Sequence, residues 1–337
     1  MPELRQPPYP TVLKPYGQSL VALAKERDDI VCLTGDLSKQ CEIDLFADAY
    51  PERFIHAGMA EANMMGVAGA LARDGFVPFV HTFGTFATRR PLDQVINSIA
   101  FPNLRVRIMG FMPGVSSPGG PSHQAIDDVA LMRAIPNMTV VDLADATQIR
   151  AALPSIADIP GPVYLRLKRG EIPVIFDDDH DFSLTTAQTL IEGSELAVIA
   201  SGMMLSSAVS AADTLAAGGV SASVINVPVI KPLDAGSIIR AVSGVAAVIT
   251  AENHSVIGGL GSAVAEAMAE AALAVPLRRI GLRDTFAEGS RTASHLFRKY
   301  RLGTQDIVDT AWEVLRREGQ PPRVQAAEAA EGEYAPV

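Results

Sequence analysis

Short runs of apolar and β-branched residues alternate with helical patterns along most of this 337-residue chain. The first strand candidates lie at 30–35, 53–57, 76–80, 104–110, 138–142 and 162–167. Helical patterns lie between them, at 42–50, 60–73, 84–100, 124–134 and 145–157. Such alternation is typical of βαβ units and predicts a mainly parallel sheet covered by helices on both faces.

The pattern breaks at 171–195, which combines a proline, an acidic run and no sustained period. Strand candidates then resume at 196–201, 222–227, 245–250 and 277–282. We therefore predict an α/β protein of two domains, 1–180 and a smaller 190–318, joined by a linker. The Pro-, Ala- and Glu-rich segment 319–337 is predicted to be a mobile tail.

Composition narrows the class of protein. Hydrophobic residues make up 48% of the chain and charged residues 20%, which favours packed cores. The net charge of −10, without a basic cluster, argues against nucleic acid as a partner. No apolar run reaches the roughly 18 residues of a membrane span, and the start lacks the apolar centre of a signal peptide. Cys32 and Cys41 form no metal or disulfide motif, so we expect a cytoplasmic protein.

Four notable segments follow predicted strands. They are GDLSKQ, HAGMAEAN, HTFGTFATRR and FMPGVSSPGGPSHQ. Ligands of open α/β sheets bind beyond the carboxyl ends of the strands. The convergence of four such loops at one edge therefore predicts a ligand site there.

Glu61 is the one charged residue between Ala57 and Ala72. One interpretation is a first-turn acid that interacts favourably with a helix dipole. The other is a buried carboxyl group that shares a proton with a ligand nitrogen, because such apolar surroundings make an isolated charge costly.

Phe83 and Phe86 have helical spacing, so they either pack in the core or form a wall against a flat heterocycle. Arg89 could stack on a ring or reach an anion. His123 ends a Gly- and Pro-rich loop and is either a surface residue or a proton shuttle. The segment IGGLGSA (257–263) has Val264 where a dinucleotide fingerprint needs Gly or Ala, so we do not expect it to bind NAD.

Together the motifs resemble the C-terminal half of a transketolase, which comprises the pyrimidine-binding and C-terminal domains. The resemblance extends from about residue 10 to 318. It rests on GDL (35–37), HAGMAEANMMGVAGALA (56–72), HTFGTFATRRPLDQV (81–95), GGPSHQAIDDVALMRAIPNMTVVDLADATQ (119–148) and AENHSVIGGLGSAVAEAMAE (251–270).

The resemblance implies thiamine diphosphate as cofactor, with Glu61 activating its aminopyrimidine and His123 near the reacting carbonyl. It also implies that Phe83 and Phe86 stack on the ring and that Arg89 lies in the same pocket. Roles implied for further residues are contacts near the thiazolium for Asp36 and Leu37, and an anchor for a substrate phosphate for Arg169.

Full-length relatives begin with a domain that holds the diphosphate and Mg²⁺ through a Gly-Asp-Gly signature, which is absent from this sequence. We therefore predict the second subunit of a split transketolase, which needs an N-terminal-half partner holding most of the metal site. The resemblance implies an α₂β₂ assembly in which this subunit self-dimerises.

Two departures from the family pattern concern the substrate. Gly119 replaces an acid that usually contacts a sugar hydroxyl, and Phe111 replaces a histidine. Loss of polar groups changes discrimination between substrates, so we expect an unusual ketose. The alternatives are a deoxyxylulose-phosphate synthase-like enzyme, a 2-oxoacid dehydrogenase β subunit, or a non-catalytic subunit.

Overall fold

The computed structural model describes residues 4–178, 180 and 182–324. The strands are β1 (Thr11–Leu13), β2 (Ile30–Thr34), β3 (Phe54–His56), β4 (Val77–Phe83), β5 (Arg107–Phe111), β6 (Thr139–Asp142), β7 (Val163–Leu167), β8 (Glu171–Pro173), β9 (Gln188–Ile191), β10 (Leu196–Ala200), β11 (Ala222–Asn226), β12 (Val229–Lys231), β13 (Ala247–Ser255) and β14 (Leu277–Leu282).

The helices are α1 (Pro15–Glu26), α2 (Asp44–Ala49), α3 (Glu61–Arg73), α4 (Gly84–Thr88), α5 (Leu92–Gln94), α6 (Asp128–Arg133), α7 (Ala146–Asp158), α8 (Met204–Ala217), α9 (Ala235–Val242), α10 (Leu260–Glu270), α11 (Ala293–Lys299) and α12 (Thr304–Val314). A π-helical segment, Val95–Ala100, continues α5, and short 3₁₀ turns lie at Pro51–Arg53 and Gly114–Ser116.

The larger sheet has the order β12-β6-β7-β5-β4-β2-β3. Its strands are parallel except β12, which pairs antiparallel with β6. Helices α1, α2 and α7 bury Leu20, Phe46 and Ile149 on one face, while α3 and α6 bury Met64 and Met132 on the other. This arrangement confirms the predicted α/β fold with both sheet faces covered.

The smaller sheet has the order β14-β13-β10-β11-β9, with only β9 antiparallel. Helices α8 and α12 cover one face through Leu205 and Ile307, and α9 and α10 cover the other through Ile238 and Val264. The second α/β unit predicted from the sequence is therefore present.

Several short elements were not predicted. The segment 171–195, predicted to be a linker, contains β8, which pairs with β1, and β9, which pairs with β11. Strand β12 extends the first sheet although it lies among residues assigned to the second domain. These strands have three or four residues, too few to show a period in the sequence.

Two longer predictions need adjustment. Strand β4 continues to Phe83, whereas the sequence pattern ended it at residue 80. The helix predicted at 84–100 is interrupted between α4 and α5, where Pro91 precedes the first residue of α5. A proline interferes with the hydrogen-bond ladder of a continuous helix.

A buried ionic network joins the two domains. The Arg166 guanidinium donates to Asp128 at 2.8 and 3.2 Å, to Asp142 at 2.9 Å and to the Asn253 carbonyl at 2.9 Å. Arg166 and Asp128 expose 2% and 0% of their surface. Since Asn253 lies in β13, this network fixes the position of the second sheet relative to the first.

The predicted tail is described only in part. The Trp312 indole donates to the Gly319 carbonyl at 3.2 Å, and the Val324 amide donates to Gln305 at 3.0 Å. Residues 319–324 thus contact α12, and residues 325–337 lie outside the described part of the chain.

Candidate active site

Glu61 is the first residue of α3 and exposes only 4% of its surface. Its Oε1 accepts a hydrogen bond at 2.8 Å from Nη1 of Arg90, a residue that was not predicted to belong to the site. Arg90 is half-exposed, so the ion pair lies at the boundary between core and solvent. The structure therefore supplies a buried carboxylate and also an unexpected cationic partner for it.

Phe83, Phe86 and His123 form one aromatic cluster. The phenylalanine rings stack at 5.9 Å between centroids with 26° between their planes. The His123 imidazole meets them edge-on, at 6.3 Å from Phe83 and 5.2 Å from Phe86. The Arg90 guanidinium lies 4.0 Å above the Phe86 ring, which connects this cluster to Glu61. Offset rings of this kind provide a flat apolar wall.

Arg89 has a different environment from the one predicted. Its guanidinium makes a two-pronged contact with Asp127, with Nε and Nη2 at 3.0 and 2.8 Å from Oδ1. It also donates to the carbonyls of Pro121 and Gln124 at 3.3 and 3.2 Å. These bonds hold the loop that carries His123, because a planar guanidinium fits a carboxylate in this geometry. A direct contact between Arg89 and a cofactor stays a prediction.

The loop at 117–123 is held tightly around Gly119. The Gly119 amide donates to Ser117 Oγ at 3.3 Å, and the His123 amide donates to the Gly120 carbonyl at 2.9 Å. A Cβ atom at Gly119 would lie 3.0 Å from His123 Cβ. Ser122 Oγ lies 2.9 Å from His123 Nδ1. Gly119 thus adjoins His123, and any side chain there would press on it.

The second domain braces this loop. Gln124, which is fully buried, donates to the Ser117 carbonyl at 3.1 Å and to the Glu288 carbonyl at 3.0 Å. The Ser290 amide donates to the Pro118 carbonyl at 2.9 Å. Sequence reasoning missed the contacts with Glu288 and Ser290, because each joins residues more than 160 positions apart and leaves no local pattern.

Asp36 and Leu37 lie directly beyond β2. Asp36 has a positive φ of 68°, and its Oδ1 is 3.0 Å from His56 Nε2 at the end of β3. The Leu37 amide donates to Thr34 Oγ1 at 3.2 Å, and its side chain is half-buried. His56 was not singled out from the sequence. Both predicted residues do lie at the same sheet edge as Glu61, and their contacts with a cofactor stay a prediction.

Phe111, predicted to line the substrate channel, is completely buried. Its ring meets Tyr16 edge-on at 5.5 Å, and the Tyr16 hydroxyl lies 2.6 Å from His81 Nε2. Burial lowers the pKa of His81 to about 3, which keeps that imidazole neutral. This burial argues against direct contact between Phe111 and a substrate, since the strand places the ring within the core.

Arg169 follows β7 and is half-buried, and no carboxylate of the described residues lies within ion-pair distance of it. The adjacent Gly170 amide donates to Glu42 Oε1 at 3.3 Å, and the Gly17 amide donates to Glu42 Oε2 at 3.2 Å. Burial raises the pKa of Glu42 to about 7. Glu42 therefore ties the turn at Arg169 to the start of α1. The predicted role of Arg169 toward a substrate phosphate stays a prediction.

The glycine-rich segment 257–263 forms the start of α10. Its Leu260 and Gly261 amides donate to the Glu252 carboxylate at 2.7 and 2.9 Å. A Cβ at Gly259 would lie 1.9 Å from Glu252 Oε2. The carboxylate therefore occupies the helix N-terminus, where a phosphate binds in dinucleotide folds.

Within the described ranges, no group of three His, Cys, Asp or Glu residues is arranged to hold a metal ion. None of the helices in those ranges combines the length and apolarity that crossing a membrane requires.

Two domains of one known family account for most of the chain. Residues 9–174 match the transketolase pyrimidine binding domain, and residues 185–307 match the transketolase C-terminal domain. A solved structure described as "Split gene transketolase, inactive beta4 tetramer" is 42% identical, with a TM-score of 0.83. The similarity covers 90% of this chain and 97% of that chain.

Curated relatives extend the comparison. The 6-deoxy-6-sulfo-D-fructose transketolase subunit SqwH of Clostridium sp. (strain MSTE9) is 43% identical over 90% of this chain and 94% of its own length. An apulose-4-phosphate transketolase subunit of Phocaeicola vulgatus is 34% identical over 90% of this chain and 97% of its own length. The transketolase of Campylobacter jejuni shares the fold, at 20% identity and a TM-score of 0.76, and this chain covers 48% of it.

The fold and the family matches thus define a transketolase pyrimidine-binding α/β domain followed by a smaller transketolase C-terminal α/β domain. The chain belongs to the transketolase family. The prediction of a transferase subunit of the split type is confirmed by relatives that match it over nearly their whole length. The family implies thiamine diphosphate as the cofactor.

Proposed function

We propose that this chain binds the aminopyrimidine of thiamine diphosphate at Glu61 and takes part in transfer of a two-carbon ketol unit from a ketose or its phosphate to an aldose or its phosphate. The observation that carries the proposal is the buried carboxylate of Glu61 beside the Phe83–Phe86 aromatic pair. We also propose that the enzyme acts in the cytoplasm.

The residues present fit the aminopyrimidine. A flat heterocycle needs an apolar wall and a hydrogen-bonding group at its edge. Phe86 and Glu61 can supply these two features, and Arg90 contacts both of them. Glu61 begins a helix, where backbone amides favour a carboxylate.

When bound, thiamine diphosphate supplies the carbanion chemistry of ketol transfer. In the proposal Glu61 holds or shares a proton at the ring nitrogen that it faces. Phe83 and Phe86 would exclude water and orient the ring, and Asp36 and Leu37 would contact the thiazolium. His123 exchanges a proton with the substrate at the edge of the aromatic wall, because imidazole can do so near neutral pH.

We propose that an N-terminal-half subunit holds most of the diphosphate and Mg²⁺, in an α₂β₂ assembly in which this chain also contacts its own copy. The split relatives support this division, since their names denote separate subunits. We expect the isolated chain to bind thiamine diphosphate weakly, because most of the binding energy of the diphosphate comes from the metal site.

For the substrate we propose a ketose other than the usual pentose phosphate. Gly119 contributes no polar group beside His123, and Arg169 is available for an anionic group. Two relatives are named for 6-deoxy-6-sulfo-D-fructose and apulose 4-phosphate, which supports a search among sulfonated and branched ketoses.

The test is donor choice by the reconstituted complex. The chain is combined with an N-terminal-half partner, Mg²⁺ and thiamine diphosphate, and is offered xylulose 5-phosphate, a sulfonated ketose and pyruvate. We expect ketol transfer from a ketose and none from pyruvate. Turnover of pyruvate alone would favour a synthase of the deoxyxylulose-phosphate type, a class that includes a relative 35% identical over 81% of this chain, or a 2-oxoacid dehydrogenase β subunit.

Two variants separate catalysis from scaffolding. Glu61→Gln should lower turnover by at least about 100-fold, the usual scale for a group that transfers a proton in the transition state. Glu270→Gln, at the exposed end of α10, is the matched control and should leave turnover unchanged. Equal turnover of the two variants would favour a non-catalytic subunit.

A further inference from the structure

Arg90 contacts both groups that the proposed function assigns to the aminopyrimidine. Its Nη1 donates to Glu61 Oε1 at 2.8 Å, and its guanidinium carbon lies 4.0 Å from the centre of the Phe86 ring. Glu61 is almost fully buried, whereas about half of the Arg90 side chain is exposed. The arginine therefore reaches in from solvent to cover an acid and an aromatic face.

A guanidinium and an aminopyrimidine are chemically alike in the respects that matter at this site. Each is flat, each can lie on an aromatic ring, and each can present an N–H in its own plane to a carboxylate. An aminopyrimidine bound at Glu61 and Phe86 would therefore need the contacts that Arg90 makes here.

The position of Arg90 allows it to leave. It lies in the turn between α4 and α5, outside regular structure, and it is followed by Pro91. Rotation of the exposed Arg90 side chain at this point would not expose the hydrophobic core. Arg89 does not take its place readily, because Asp127 and two loop carbonyls already hold its guanidinium.

We propose that Arg90 is an internal competitor for the aminopyrimidine site, occupying Glu61 and Phe86 until the ring enters and displaces it. The inference rests on the proposed function. It adds that the chain protects its buried acid with its own side chain, and that Arg90 sets how readily the site fills.

The experiment measures binding of thiamine, which lacks the diphosphate and its metal requirement, to the isolated full-length chain by titration calorimetry or ligand-observed NMR. Arg90→Ala should bind thiamine about tenfold more tightly than the unmodified chain, equivalent to about 1.4 kcal/mol. The gain is modest because an exposed cation–π contact and a half-exposed ion pair are each weak. Arg90→Lys should fall between the two, since lysine keeps the charge and loses the flat stack.

Arg278→Ala, at an exposed position of β14, is the matched control and should bind as the unmodified chain does. Circular dichroism verifies that each variant folds, and Arg90→Gln serves as a second neutral variant if Arg90→Ala does not.

Weaker binding by Arg90→Ala would overturn the proposal, because Arg90 would then be part of the binding site. Unchanged binding by Arg90→Ala would overturn the proposal as well. So would the absence of binding by any variant at about 10 mM thiamine, roughly the weakest association such assays detect. A further variant, Glu61→Gln combined with Arg90→Ala, tests the underlying site. Suppose that the double variant binds thiamine as tightly as Arg90→Ala alone, while Arg90→Ala still binds more tightly than the unmodified chain. That result would contradict the proposed role of Glu61 and leave the competition by Arg90 supported.

Discussion

Replacement of the buried Arg166 by leucine should destabilise the protein more than replacement of an exposed arginine by leucine. Arg166 contacts two buried carboxylates, Asp128 and Asp142, and the Asn253 carbonyl of the second domain. Asp128 also accepts the Tyr164 hydroxyl at 2.6 Å. The leucine would leave two buried acids without their counter-ion.

We expect a loss of about 3–5 kcal/mol in the free energy of unfolding, the usual result of removing one partner from a buried ion pair. Burial raises the pKa of Asp142 above its usual range, so protonation relieves part of the cost at lower pH. The loss should therefore be smaller at pH 5 than at pH 7.5. Adding Asp128→Asn and Asp142→Asn to the leucine variant should recover part of the stability, because no buried charge is then left unpaired.

The assay is urea unfolding, followed by far-ultraviolet circular dichroism and by fluorescence of Trp312, the one tryptophan of the chain. Arg150→Leu is the control, since its pair with Asp178 at 2.9 Å is more than half exposed. Such a pair contributes at most about 1 kcal/mol. If both single variants lost less than about 1 kcal/mol, the reasoning about the buried network would be refuted.

Three further predictions concern the loops at the site. Glu42→Gln should flatten the pH dependence of thermal stability. The pKa of Glu42 in the folded protein is about 7, above the ordinary 4.5, so its ionisation lowers stability as pH rises through that range. We expect this loss to be about 1–3 kcal/mol at pH 8. Melting temperatures of the variant and the unmodified chain at pH 5 and pH 8 check this. An equal change in melting temperature between the two pH values for both proteins would contradict it. Gly119→Asp should lower kcat/KM of the reconstituted complex about 10-fold or more, because its Cβ pushes against His123, and steady-state kinetics with unchanged circular dichroism would separate this from misfolding. Gln124→Leu should lower the free energy of unfolding by about 1–3 kcal/mol, because two buried carbonyls lose their donor. A urea midpoint equal to that of the unmodified chain would show that Gln124 does not stabilise the loop.

The longer elements were predictable because their periodicity is local. Strands such as β2 and β10 are five-residue, mostly apolar runs that are buried throughout, and α3 begins at Glu61, one residue after its predicted start. Strand β12 was not predictable, because three residues carry no period and its partner β6 lies about 90 positions away.

The same distinction holds for the candidate site. Helical spacing suggested that Phe83 and Phe86 lie together, and their rings do stack, although Phe83 ends strand β4 and only Phe86 lies in helix α4. The buried state of Glu61 follows from its apolar neighbourhood. The pairing of Arg90 with Glu61 does not, since 29 residues separate them and only the fold decides which of two adjacent arginines turns toward the acid. Arg90 is four residues beyond Phe86 but lies in the turn after α4, so helical periodicity alone does not predict their contact.

The contacts at 117–124 connect the second domain to the candidate site. Gln124 lies under the loop that carries His123, and it spans from that loop to the Glu288 carbonyl of the second domain. Ser290 adds a backbone hydrogen bond to Pro118. Because Arg89 holds the opposite side of the loop through Asp127, the loop is fixed from both domains at once. A displacement of the second domain would therefore move His123 relative to Phe86, and the buried Arg166 network resists such a displacement.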